Sequence, residues 1–247
     1  MTCKNCGKSI ENNYCSHCGQ KVNVDRIDLP YFLTEFSESF FQVDKGFFYS
    51  IKQLLVNPGI SINEYLRGKR KKYFKPIAYV ITLSTLYFLT TQFTDQNTWI
   101  DDAISGFMNG VKEKKENASI PEVFIWFSEN YGYATLLLLP VFSLASYLSF
   151  YKFKVNYLEH IVINAYITGT QAIFYSLFTI IRIFTDAEIF EITPFFISIS
   201  YHFLVFWQVF FKGNRLINIL RSLMTYVLYF IFCGIIITIV FALLKME

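Results

Sequence analysis

Five stretches of this chain run on without a single Asp, Glu, Lys or Arg: residues 76–93, 133–151, 161–181, 194–211 and 222–244. About 20 mostly apolar residues cross the hydrocarbon core of a bilayer as a helix. Lipid offers the backbone no hydrogen bonds, so each stretch is expected to satisfy its own amides as a helix. The pattern predicts an all-α polytopic membrane protein with five transmembrane helices. The first stretch is the least apolar, with Thr82, Ser84, Thr85, Thr90, Thr91 and Gln92. Its polar flanks, and the alternation of charge it restores, support it.

A second pattern, amphipathic rather than uniformly apolar, precedes the spans. Leu29, Phe32, Leu33, Phe36, Phe40 and Phe41 recur at helical spacing. Asp44 is placed to cap a second helix carrying Phe47, Phe48, Ile51, Leu54 and Leu55, and Asn57-Pro58-Gly59 breaks it. A short third helix over 60–67 would end at Gly68. Helices this aromatic, beside a span, are expected either to lie in the membrane interface or to pack on the ends of the spans. After the first span, Trp99, Ile100, Ala103, Ile104, Phe107, Met108 and Val111 form another stripe. Ser119-Ile120-Pro121-Glu122 resembles a capping box opening one more helix, with Val123, Phe124 and Phe127 on one face. The chain thus divides into a head (1–22), an amphipathic neck (27–75) and a membrane domain (76–247) with an outer helical loop (94–132).

Composition agrees. Charged residues make up 17% of the chain, against roughly 25% in a soluble domain, and the mean hydropathy is +0.36. Where the charges fall gives the orientation. Seventeen of the 22 basic residues lie before the first span or in the second and fourth loops, and seven of the 19 acidic residues lie in the first loop. Basic residues collect on the cytoplasmic side, so the N-terminus is expected inside and the C-terminus outside. Arg67, Lys69, Arg70, Lys71 and Lys72 form the densest basic cluster. Such a cluster attracts anionic lipid at about 1 kcal/mol per residue, or serves only to fix topology. Asp28, Glu35, Glu38, Asp44 and Glu64 interleave with the neck's cations and argue against nucleic acid.

The strongest chemical signal is Cys3-x-x-Cys6-Gly7 followed by Cys15-x-x-Cys18-Gly19. Each unit is a tight turn aiming two sulfurs at one point, with a glycine suited to the positive φ such turns require. Four thiolates match a closed, tetrahedral structural zinc site, and iron fits the same geometry. The head is too small to fold on an apolar core, so a bound Zn²⁺ would supply its folding free energy. His17, inside the second unit, reads as a bystander. A reducing cytosol favours thiols as metal ligands over disulfides, which agrees with the orientation drawn from charge. No apolar leader precedes Cys3, so no signal peptide is expected.

Several separated motifs carry a resemblance. They are Cys18-Gly19-Gln20-Lys21, then Arg26, Asp44-Lys45-Gly46-Phe47, Leu54-Leu55-Val56-Asn57-Pro58, and Glu64-Tyr65-Leu66-Arg67-Gly68-Lys69-Arg70 before Tyr73 and Pro76. Over the first third of its length the chain resembles the bacterial domain-of-unknown-function family numbered 3667. That resemblance implies a zinc-ribbon protein of the bacterial inner membrane and brings no activity or catalytic residues with it.

Inside the spans, His160, Asn164, Thr168 and Gln171 share one helical face, and His202 stands in the next span. Polar residues in a span are functional candidates or simple interhelical hydrogen bonds. The spans contain no carboxylate, and the chain shows no paired carboxylates, Gly-x-Ser-x-Gly, His-Glu-x-x-His or phosphate loop. These absences argue against an enzyme. The expected function is a non-enzymatic membrane module whose head and neck bind a cytosolic protein or anionic lipid. The alternatives are a transporter or lipid-moving protein using the polar faces, and an enzyme modifying a lipid headgroup. Nothing in the sequence sets the oligomeric state.

Overall fold

The computed structural model describes residues 1–22, 24–38, 46–112, 122–185, 187 and 189–244. The neck forms α1 (Leu29–Glu38), α2 (Gly46–Val56) and α3 (Pro58–Leu66). Then follow α4 (Pro76–Thr94), the outer helices α5 (Trp99–Lys112) and α6 (Glu122–Glu129), α7 (Tyr131–Ser149), α8 (Tyr157–Ile181), α9 (Ile189–Val209) and α10 (Arg215–Leu244). Five of these, α4 and α7 to α10, are long and apolar enough to cross a membrane, with mean hydropathies between 1.2 and 2.2.

The spans begin earlier than their charge-free cores. α8 starts at Tyr157 and α10 at Arg215. Both first turns carry charge, so a rule that forbids charge trims them. One correction follows: the spanning helices do hold carboxylates in their first turns, Glu159 of α8, which is buried, and Glu191 of α9, which is exposed.

Local signals explain the ends. Asp28 Oδ1 accepts from the Tyr31 amide and caps α1. Pro58 stands at the first turn of α3, where its missing N–H is no loss. Gly68, at φ +102°, ends the neck helices. At α8 the Asn156 side chain accepts from the Glu159 amide while the Glu159 carboxylate accepts from the Asn156 amide, a complete capping box. The expected cap at Asp44, the ring positions Phe40 and Phe41, and the Ser119-Ile120-Pro121 start lie outside the described residues.

α8 is the hub. It packs on α4, α7 and α9, and 61% of its spanning window is buried, against 11% for α10 at the edge. The core runs without a break from neck to bundle: Ile27, Leu54, Ile62 and Tyr65 belong to the same buried cluster as Tyr79, Tyr166 and Phe206. Tyr65 meets Tyr166 edge to face at 5.5 Å, and the Tyr201 hydroxyl donates to the Leu54 carbonyl at 2.9 Å. The neck therefore packs as core on one end of the bundle. Phe48 and Ile60 remain exposed on its far side.

Gly59 marks the closest approach. Its amide donates to Gln208 Oε1 at 2.9 Å, and a Cβ there would lie 2.1 Å from the Gln208 Cβ. Only glycine lets α3 sit this close to α9.

Candidate metal centre and the enclosed polar residues

The head is two near-identical turns. Gly7 and Gly19 have φ of +74° and +71°, and their amides donate back to the Cys3 and Cys15 carbonyls at 2.9 and 2.8 Å. Isolated bridges pair Thr2 with Ser9 and Tyr14 with Lys21, and no longer strand ladder is present among the described residues. This folding brings the four sulfurs of Cys3, Cys6, Cys15 and Cys18 within 4.8 Å of one another. Cys3 and Cys18 Sγ are 3.6 Å apart, as are Cys6 and Cys15 Sγ. Thiolates bound ~2.3 Å from a tetrahedral zinc would stand roughly 3.8 Å apart, so the cluster has the dimensions of a metal site. His17 is exposed and outside the cluster.

Four thiols this close cannot all ionise without a cation. The Cys18 and His17 amides hold the Cys15 thiol down to about 6. Cys6 has the Lys8 amide lowering it, yet burial and the hydrogen bonds with Cys15, Cys18 and Cys3 push it up to about 12. A divalent metal would stabilise all four thiolates together.

The head and the segment that follows it are each tied to the rest of the chain. Gln20, buried, donates to the Gly68 carbonyl and accepts from the Arg70 and Lys71 amides. Arg26 forms a bidentate pair with Glu159, at 2.8 Å from Nε and 2.6 Å from Nη2, and also donates to the Lys154 carbonyl. Asn156 donates to the Ile27 carbonyl beside it. Sequence reasoning passed over Glu159; the Asn156-x-x-Glu159 spacing of a capping box was the signal that marks it.

The basic cluster divides. Lys69 and Lys72 donate to the two oxygens of Glu64, at 2.7 and 2.6 Å, and the Tyr73 hydroxyl joins them at 2.8 Å. Partial burial raises the Glu64 carboxyl, but these three donors hold it down to about 2. Arg70 donates to the Asp25 carbonyl and stacks 4.1 Å over the Tyr31 ring. Arg67 and Lys71 are exposed.

The intramembrane polar residues also divide. His160 and Asn164 are fully enclosed against α7: His160 Nδ1 lies 2.9 Å from Ser146 Oγ, and Asn164 donates to Ser143 and Ser146. His202 is equally enclosed, in a box of Phe142, Phe203, Phe206 and Tyr226. Thr168 and Gln171 instead line a chamber of about 200 Å³ between α7, α8, α9 and α10, where Gln171 donates to the Ser198 carbonyl at 2.9 Å.

No curated protein and no solved structure matches this chain. Residues 44–88, which run from the start of the neck's second helix through Glu64 and the basic cluster into α4, do match a family model described as Protein of unknown function (DUF3667). Over residues 44–88 the chain is thus similar to DUF3667, the family its motifs resemble.

Proposed function

We propose that this protein is a non-enzymatic module of the bacterial inner membrane, with its N-terminus in the cytosol, its C-terminus outside and a structural zinc in its head. Head and neck form a cytosolic docking surface for anionic lipid or a cytosolic protein. One observation carries the reading: Gln20 fastens the head to the Gly68–Lys71 turn of the neck, and Arg26, just after the head, pairs with Glu159 of α8, while Arg67 and Lys71 stay exposed beside them. A surface fixed this firmly to the spans is built to hold something at the membrane. Four cysteines leave a metal no open coordination position for a substrate, which suits a structural role. Zinc is preferred over iron because the cluster is a small, self-contained four-sulfur head of the kind structural zinc stabilises.

The test uses the purified full chain with vesicles of phosphatidylglycerol or phosphatidylcholine, and an affinity pull-down from native membrane with and without residues 1–22. Binding that favours phosphatidylglycerol and weakens in Arg67→Ala/Lys71→Ala, or a partner lost with the head, supports the proposal. Neither lipid preference nor a head-dependent partner would reject it. Maleimide labelling of intact cells checks the orientation: reaction at Cys3 from outside would overturn it.

A transporter or lipid-moving reading rests on the chamber at Thr168 and Gln171. It expects loss of function in a growth assay when His160, Asn164, Gln171 and His202 become alanine, with Cys3→Ser/Cys6→Ser tolerated. The docking module expects the reverse.

A further inference from the structure

Two cavities lie side by side toward the end of the bundle away from the head. The first is the 200 Å³ chamber, where Thr135, Thr168, Gln171 and Ser198 put uncharged polar groups among aromatic rings. The second, about 290 Å³, is a groove between the outer helices α5 and α6 and the spans α7 and α10, and its walls are almost wholly apolar. Trp99, Leu138, Tyr229 and Phe230 border both, so the two spaces adjoin. Among the described residues neither is lined by a charged one.

We propose that these adjoining spaces form one binding site for a long-chain lipid with an uncharged, oxygen-bearing end, its chain lying between α5–α6 and α10 and its polar end among Thr168, Gln171 and Ser198. Three observations select this occupant. First, Phe230 and Ile236 at the groove are exposed on the membrane face of α10. The medium there is hydrocarbon, so a lipid chain can enter from the side. Second, Ser198 is 5% exposed and its hydroxyl makes no close hydrogen bond, with only the longer approach of the Tyr175 hydroxyl on the same chamber wall. A buried hydroxyl is normally satisfied, and a ligand oxygen would satisfy this one. Third, a phosphate or carboxylate brought into this lining would meet no cation among the described residues, and burying an unpaired charge is strongly unfavourable.

The site is independent of the cysteine head and is tested on its own. Trp99 borders both cavities, and the only other tryptophans are Trp126 and Trp207. A Trp126→Phe/Trp207→Phe chain therefore reports from the site alone. In detergent micelles, a monoacylglycerol brominated on its chain should quench Trp99 saturably, and excess unbrominated monoacylglycerol should reverse the quenching. The lysophosphatidylglycerol with the same brominated chain should need roughly tenfold more. Ala103→Phe, which fills the groove, should weaken quenching by a similar factor. Ser198→Ala should weaken it several-fold while leaving the thermal midpoint little changed, because it removes a hydroxyl that makes no close hydrogen bond in the fold. Quenching that rises linearly with lipid, that is equal for the charged and uncharged lipids, or that ignores both Ala103→Phe and Ser198→Ala would overturn the proposal.

Discussion

Arg26 reaches across the fold to grip both carboxylate oxygens of Glu159, 133 residues further along the chain. The pair is lopsided: the Arg26 side chain is 56% exposed and that of Glu159 only 9%. Breaking it from the two sides should therefore differ. Arg26→Ala leaves a buried carboxylate without its cation, a change that costs about 3–5 kcal/mol for a fully buried pair, reduced here toward ~2 by the exposure of Arg26. Glu159→Gln keeps the volume and removes the charge, and should cost less. Thermal unfolding in detergent, read in both single variants and the double variant, gives the coupling; equal losses from the two sides would contradict this account.

Metal removal should act on the head first. A chelator is expected to make residues 1–22 sensitive to protease while the spans stay folded, because the head has only the small cluster around Cys3, Ile10 and Cys15 as its own core. Elemental analysis of the purified chain should return one zinc per molecule, and Cys3→Ser should remove it. Full protease resistance after chelation would show that the metal does not hold the head together.

Glu64 predicts a pH dependence with a definite sign. Its carboxyl is held down to about 2 in the folded chain, below the unfolded value of about 4.3. The stabilisation is therefore complete above about pH 4.3 and disappears as pH falls through about 2, where the folded carboxylate takes a proton. Water reaches Glu64 and both lysines, so the stabilisation is only a fraction of what the full shift would give. Glu64→Gln should flatten the acid limb of the stability curve, and an unchanged limb would remove Glu64 as its source.

Gly59→Ala should separate the neck from the bundle. The new methyl would collide with Gln208, including its backbone, and overpacking of this kind costs about 1–3 kcal/mol. Gln208→Gly, which loses the amide acceptor but removes the Cβ that the methyl would strike, should partly rescue it. Failure of the rescue would mean that side-chain crowding is not the cause.

Much of this architecture is legible in the sequence because lipid and thiolate chemistry each allow few solutions. A charge-free run of spanning length has one stable form, so α4 begins at Pro76 as expected, and two Cys-x-x-Cys-Gly units converge as their spacing implies. What stayed hidden was set by tertiary contact. The basic run at Arg67–Lys72 looks uniform in sequence, yet Glu64 engages Lys69 and Lys72 and Tyr31 takes Arg70. The face shared by His160, Asn164, Thr168 and Gln171 is real on α8. Its upper half meets α7 and its lower half meets the chamber, a division decided by neighbours that helical periodicity cannot see. Glu159 was overlooked because span-finding rewards the absence of charge, and so discards the first turn where a helix anchors itself to its surroundings.

The peripheral place of α10 bears on how the chain is made. The other four long helices share the buried core with the neck, and α10, which leaves the ribosome after them, adds a wall that is mostly wetted by acyl chains. Synthesis can thus complete a packed body before the final segment inserts. A product ending near residue 214 should keep the head and neck in place on the four-helix assembly, but lose the chamber wall and uncover His202 and Phe142, which Tyr226 of α10 covers.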